Sequence, residues 1–366
     1  DSLRESADQA ALFTGDTAPP PFCFFDLETT GLSGGAGTYA FLVGAGWFDD
    51  EGGFVVRQHL LPRAVDERPM LKTVAEQLAT AGTLVSFNGK SFDAPLLETR
   101  FAYHRLPWQA GRLPHFDVLH PARRFWRSDA VSGDASPCSL STLERQVLGA
   151  RRLNDLPGFE APGRYFAFIR TGDARPLADV LDHNRNDLIS LAGLTVRLLQ
   201  LVRAGATEAR DAREALALGR VYERAGRPGP AREALECALA LPAPGATAST
   251  RTLLRVEALR TLAILARRAR RYDEAASRWC AVLDTPGCPQ GFAREAAEAL
   301  AIHHEHRVRD VAAAHAFALR TLDAGVVASR HAAVRHRLAR LERKLHAGRD
   351  HCDPRFVEHP RFPLVD

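Results

Sequence analysis

The stretch FCFFDLETTGL, residues 22–32, sets four apolar residues ahead of two carboxylates, Asp26 and Glu28, with only Leu27 between them. The run Phe22–Leu27 reads as a short central strand. Side chains alternate faces along a strand, so Asp26 and Glu28 point the same way. The turn-forming TTGLSGG that follows puts both at the strand's exposed end. Two neighbouring carboxylates repel each other and desolvate badly. They are tolerable where a cation sits between them, and an all-oxygen pair suits Mg²⁺ or Mn²⁺.

Working outward, YAFLVGAGWF (39–48) reads as a second strand, DDEGG as a turn and FVVRQHLL as a third strand, the last two paired antiparallel. RPMLKTVAEQLATAG predicts a helix ending at Gly82, TLVSF a strand, FDAPLLETRFAYH a helix and HFDVLH a strand end. PCSLSTLERQVLG predicts a helix capped by Ser/Thr and stopped at Gly149, and residues 177–202 a long helix. The expected fold is a mixed α/β sheet with flanking helices. From about residue 207 no strand is evident and Ala, Leu and Arg dominate. Leu218, Gly219, Tyr222, Gly226, Ala231, Leu235 and Ala238 match the tetratricopeptide helix–turn–helix pattern, which recurs loosely around Ala275 and Ala313. A stacked helical solenoid is expected. The chain thus divides into a flexible lead (1–20), an α/β domain (21–203), a helical domain (207–348) and a tail (349–366).

The α/β part supplies further ligands for the carboxylate pair. Asp93 falls at a helix start just past the strand 83–87, and His183 and Asp187, four apart, share a face of the long helix. Asp26, Glu28, Asp93 and Asp187 are four acids from three elements, enough for two metal ions about 3.5–4 Å apart. His183 is placed to take a proton from water, a task that suits its ordinary pKa of about 6.5. Asp117, at a predicted strand end, is a further candidate for a supporting or substitute ligand.

DLETTG (26–31), NGKSFDAPLL with Asn88, Phe92 and Asp93, and HNRND (183–187) are similar, in that order, to the three motifs of DEDD-type 3′–5′ exonucleases of the ribonuclease H-like superfamily. A nuclease domain followed by tetratricopeptide-like helices further resembles the bacterial YprB (MrfB) family. The resemblance implies a Mg²⁺- or Mn²⁺-dependent nuclease acting on DNA in repair, beside a helicase. In such enzymes a histidine stands five before the last aspartate and a tyrosine four before. Here the histidine takes the tyrosine's spacing and Asp182 stands at the histidine's usual place, so His183 either deprotonates the water or, with a tyrosine-like geometry, only orients it. Thr29, Thr30 and Gly31 are expected to offer backbone N–H groups to the terminal nucleotide, Leu32 to wedge against its base, and Asn88 and Lys90 to reach phosphate.

Composition bounds these readings. Of 366 residues, 46% are hydrophobic and 25% charged, which excludes a disordered chain, and no apolar run reaches the roughly 18 residues of a membrane helix. Six scattered cysteines form no CxxC pair, which points to a reducing cytoplasm. The net charge of +4 splits into −4 over residues 1–200 and +8 beyond, consistent with a polyanion held by one part and processed by the other. The arginine pairs 123–124, 151–152, 267–268 and 270–271 fit a phosphate track or a solvated face equally well. HHEH (303–306) falls at a predicted helix end and reads as structural. Gly35 and Gly37 lead into a strand rather than a helix, so no dinucleotide fingerprint is read there. Two rival functions stay open: an internal cut by an endonuclease or an RNA exonuclease, and a silent binding scaffold.

Overall fold

Strand β1 (Phe22–Thr29) sits at the middle of a five-stranded sheet with β2 (Ala40–Phe48), β3 (Phe54–Leu60), β4 (Thr83–Ser86) and β5 (His115–Asp117). The computed structural model describes residues 7–15, 17–31, 37–127, 129, 138–152, 155–321 and 328–350. Strand order is β3-β2-β1-β4-β5. β1 pairs antiparallel with β2 and parallel with β4, so the sheet is mixed as expected. Phe22, Phe24 and Phe25 are buried, which is why this central strand reads as an unbroken apolar run. In the β2–β3 turn Asp49 accepts hydrogen bonds from the N–H groups of Glu51 and Gly53, and Gly52 takes a φ of 86°.

Helices α1 (Ala7–Thr14), α2 (Glu67–Leu78), α3 (Asp93–Tyr103), α4 (Leu119–Trp126), α5 (Leu140–Leu143), α6 (Ala161–Thr171) and α7 (Leu177–Ala204) flank the sheet. α7 lies against β1, β2 and β3. The stretch Leu177–Glu208, which contains α7, has a window of mean hydropathy 1.4, long and apolar enough to cross a membrane, but 61% of that window is buried inside the protein.

Other expectations are corrected. Residues 7–14 of the supposed flexible lead form α1, because Phe13 stacks on Phe116 at 5.5 Å and meets Phe125 edge-on. α2 stops at Leu78; Gly82 instead lies so close to the carbonyls of Pro19 and Pro20 that no side chain fits. The helix expected over 137–149 is the short α5 followed by a five-residue π turn, Glu144–Leu148, closed by Gly149 at a φ of 70°. α4 and α6 were not expected.

The first compact unit runs from Asp1 to Thr247, well past the expected boundary near 203–207. It therefore includes α8 (Ala212–Arg224) and α9 (Pro228–Ala240). Polar pins explain this. Tyr222 donates to the Val202 carbonyl (2.7 Å), Trp126 Nε1 to Glu214 (2.8 Å), and Arg197 reaches both Glu208 and Glu214. Gly219 lets these two helices close up, since a Cβ there would lie 2.7 Å from Leu235 Cγ.

The second unit, Ala248–Asp366, holds α10 (Ala248–Arg268), α11 (Tyr272–Leu283), α12 (Gln290–His303), α13 (Val311–Leu319) and α14 (Ala328–Asp350). α10 packs on α11, α11 on α12, α12 on α13 and α13 on α14. A second π turn, His304–Val308, follows α12. There His304 stacks on Phe317 at 5.3 Å while His306 is exposed, so HHEH presents no common face. Residues 349–350 of the expected tail belong to α14; the rest of it, with Cys352, lies outside the described residues. The five described cysteines are free.

Candidate active site

The carboxyl end of β1 carries Asp26 and Glu28, two residues apart on one face, and the β1–β2 register shifts just beyond, between Glu28 and Thr29. Asp26 faces α7, where Asn184 Nδ2 donates to its Oδ2 at 2.9 Å. The Asn184 amide oxygen accepts in turn from Gln58 Nε2 (3.0 Å), which also donates to the Leu181 carbonyl (2.8 Å). Space for this amide comes from Gly44, the ladder partner of Asp26: a Cβ there would lie 2.2 Å from Asn184 Oδ1 and 2.8 Å from Leu188 Cδ1.

Asp93 opens α3 as its first residue and is not its cap, which is Phe92. Gly89 passes close over it, since a Cβ there would lie 2.9 Å from Asp93 Oδ2. Asp187 and His183 lie one turn apart on α7, with His183 Nε2 3.6 Å from Asp187 Oδ2. Asp182, the alternative position, points outward and pairs with Arg185.

Asp26, Glu28, Asp93 and Asp187 feel one another electrostatically. Burial raises the pKa of Asp26 well above the ordinary carboxylate range, and Asp187, Asp93 and Glu28 push it further. Glu28, 8% exposed, is pushed up to about 7 by burial, with His183 opposing and Asp187, Asp93 and Asp155 adding. Asp93 rises to about 7 through burial and Asp117. Asp187 rises through burial, although His183 and Arg152 pull the other way. His183 is itself raised: burial disfavours its charge, but Asp187, Asp155 and Glu28 outweigh it.

Two basic groups hold Asp187. Arg152 Nη2 approaches its Oδ1 to 2.6 Å, and His183 stands by its other oxygen. Arg152, 8% exposed, also binds Glu144 (2.7 Å) and Asp155 (3.1 Å), and Asp155 receives His183 Nδ1 at 2.8 Å. The expected arginine pair 151–152 is thus split: Arg151 is exposed, while the Arg152 side chain is enclosed by acids. The four expected ligands are gathered into one electrostatic neighbourhood. Yet among the described residues no group of three or more His, Cys, Asp or Glu is drawn close enough to hold a metal ion. The donor chemistry nonetheless fits a hard divalent cation: carboxylate oxygens only, with pKa values raised by burial and by neighbouring carboxylates.

The remaining expectations fare differently. Thr30 N–H is spent on the Tyr39 carbonyl (3.0 Å), and Thr30 Oγ1 accepts from Tyr39 N–H, so this residue closes a strand end. Thr29 Oγ1 donates to the Gly31 carbonyl (3.0 Å). Leu32 lies outside the described residues. Asp117 is buried and its oxygens accept from the N–H groups of Asn88 (2.8 Å), Lys90 (3.2 Å) and Leu119 (3.1 Å), so it braces the turn before α3. Asn88 adopts a φ of 69° in that turn, and Lys90 is exposed. Asn184, Arg152, Asp155 and Glu144 were missed. Asn184 alone had a signal: it lies in HNRND at a helical spacing that faces inward with Leu188.

Residues 23–199 match the profile of the RNase_H superfamily, and the domain is ribonuclease H-like. The chain is 39% identical over 207 residues to the uncharacterized protein YprB of Bacillus subtilis (strain 168), a match covering 54% of this chain and 47% of YprB. The chain therefore spans about half the length of that relative. A family B DNA polymerase from the hyperthermophilic archaeon Pyrobaculum calidifontis is structurally similar at a TM-score of 0.40 and 14% identity, over 67% of this chain and 30% of the polymerase.

Proposed function

We propose that the first unit is a divalent-metal-dependent nuclease that removes nucleotides from the 3′ end of DNA. One observation carries this reading: Glu28 is buried and Asp26 and Asp93 are half-buried acids whose pKa values are raised by desolvation and neighbouring carboxylates, inside a ribonuclease H-like domain. Asp26, Glu28, Asp93 and Asp187 would hold a pair of Mg²⁺ or Mn²⁺ ions. When bound, such ions activate a water and neutralise charge on the phosphodiester. Asn184 fixes the rotamer of Asp26, His183 Nε2 takes the water's proton, and Lys90 is free to meet phosphate. The later helices would dock the nucleic acid or a partner such as a helicase, in a cytoplasmic setting.

Matched 5′-labelled DNA and RNA oligonucleotides, incubated with Mg²⁺ or Mn²⁺ and with chelator, test the reading. A metal-dependent ladder of single-nucleotide steps on DNA is expected; a discrete internal product means an endonuclease, and a ladder on RNA alone means an RNA exonuclease. Asp26→Ala is expected to cut the rate by about a thousandfold without shifting the melting temperature down. A second reading, a silent nucleic-acid-binding scaffold, draws on the Arg152–Asp187 contact. It gains if wild-type protein binds the oligonucleotides and cuts none.

A further inference from the structure

Asp155, Arg152, Asp187 and His183 form a closed ring of alternating acid and base. Arg152 Nη1 meets Asp155 Oδ2 at 3.1 Å and its Nη2 meets Asp187 Oδ1 at 2.6 Å. His183 Nδ1 meets Asp155 Oδ1 at 2.8 Å, and its Nε2 stands 3.6 Å from Asp187 Oδ2. The first three contacts are close and the fourth is too long for a hydrogen bond. The ring is anchored from behind by Glu144, which holds Arg152 Nε at 2.7 Å. Beside Nε2 lies Gly158, where even a Cβ would stay 3.8 Å away.

We infer that Asp155 is a positioning residue that fixes the tautomer and orientation of His183, leaving the Nε2 lone pair as the atom presented to the reacting water. A carboxylate oxygen accepts, so the Asp155 contact requires the hydrogen on Nδ1. The neutral imidazole then carries its lone pair on Nε2. Among the described residues that atom has no hydrogen-bond partner, and it lies beside Gly158. Arg152 stops Asp155 from turning away, because it grips the second Asp155 oxygen while Glu144 and Asp187 hold the guanidinium in place.

This role rests on the nuclease reading. The water's O–H bond breaks as its proton joins Nε2. Its oxygen bonds to phosphorus while the P–O bond to the leaving oxygen breaks with its electron pair. Asp155 keeps its charge beside the imidazolium and takes no proton. The same contact explains why a histidine four residues before Asp187 can serve: its orientation is imposed from the Arg152–Asp155 segment and not from α7 alone.

The test has two independent readouts on the full chain. In metal-free protein at alkaline pH, where the imidazole is neutral, ¹⁵N-histidine NMR is expected to show His183 with its hydrogen on Nδ1. Asp155→Ala should shift it toward the Nε2–H form. In the metal-loaded nuclease assay, Asp155→Ala should lower kcat about 10- to 100-fold with KM nearly unchanged. Asp155→Asn, which keeps the shape and an acceptor oxygen, should recover most of the tautomer and part of kcat. An Nε2–H tautomer in the wild type, or an Asp155→Ala variant that leaves both tautomer and kcat in place, overturns the inference. So does a loss confined to KM. If the wild type cuts nothing, the nuclease reading fails by itself, and the NMR arm still decides whether Asp155 sets the imidazole.

Discussion

The two π turns, Glu144–Leu148 in the first unit and His304–Val308 in the second, share a design and differ in charge balance. Each closes on a left-handed residue, Gly149 or Arg309, and each buries a glutamate that a later arginine grips. Glu305 takes Arg340 at 3.0 and 2.7 Å and Lys344 at 2.9 Å, so one acid meets two bases and the charge closes locally. Among the described residues Glu144 takes Arg152 alone, and Arg152 is shared with Asp155 and Asp187, which also meet His183, so three acids divide two bases. Burial argues for keeping Glu305 protonated, but the hydrogen bonds and charges of Arg340 and Lys344 outweigh it and hold its pKa at about 2. Near Glu144 the surplus runs the other way: Asp187 and Asp155 add to the burial that raises Glu28 to about 7. A buried ion pair that closes on itself works as a rivet. One left short of positive charge is a place where a cation or a proton has work to do.

The sharpest way to break the contrast is to remove the arginine from each turn. Arg152→Ala leaves Glu144 buried without a cation and is expected to cost about 3–5 kcal/mol. Arg340→Ala leaves Lys344 on Glu305 and should cost about 1 kcal/mol. Denaturant unfolding of the two variants measures both, and equal losses would mean that charge balance does not separate the turns.

A second, smaller effect is opposed pH dependence, read by calorimetry in the presence of chelator. Between its ordinary 4.5 and about 7, folded Glu28 holds a proton that the unfolded chain has shed. Its contribution to the first unit therefore declines as pH rises through that window and levels off above it. Glu305 contributes fully above 4.5 and loses its contribution as pH falls from 4.5 toward 2. The first unit should thus weaken from pH 4.5 to 7 while the Glu305 contribution stays level; parallel trends there would undo the distinction.

The smallest effect concerns the closing residues. Gly149→Ala places a Cβ at a φ of 70° and should cost about 1 kcal/mol, whereas Arg309→Gly relieves a φ of 63° and should gain a few tenths to about 1 kcal/mol. Thermal melts sharpen the comparison if the signs differ as stated.

Much of the scaffold was legible in the residues. β1 announces itself because a strand buried on both faces must be apolar, and α7 because its inward residues recur at helical spacing. α4 was hidden: Pro121 and the arginine pair suggest a loop, yet proline is tolerated in a first turn and the arginines lie outside. The four acids stood out through motif and spacing. Arg152 and Asp155 did not, because a charged residue in an arginine-rich chain looks solvated until the fold supplies its partners. The backbone contacts of Thr30 and Asp117 were hidden for a related reason. Sequence shows which polar groups a segment owns, while only the fold shows which are already spent on the backbone.

Gly44 carries no functional group, yet it acts as the spacer between helix and sheet. The hydrogen in place of its side chain lets Asn184 sit over Asp26, and any larger residue would wedge α7 outward together with His183 and Asp187. Transplanting the acids onto another sheet would therefore fail without an equally thin neighbour opposite the first of them. In scanning distant sequences for this arrangement of acids, a glycine across the ladder from the leading aspartate is a second feature to look for beside the carboxylates.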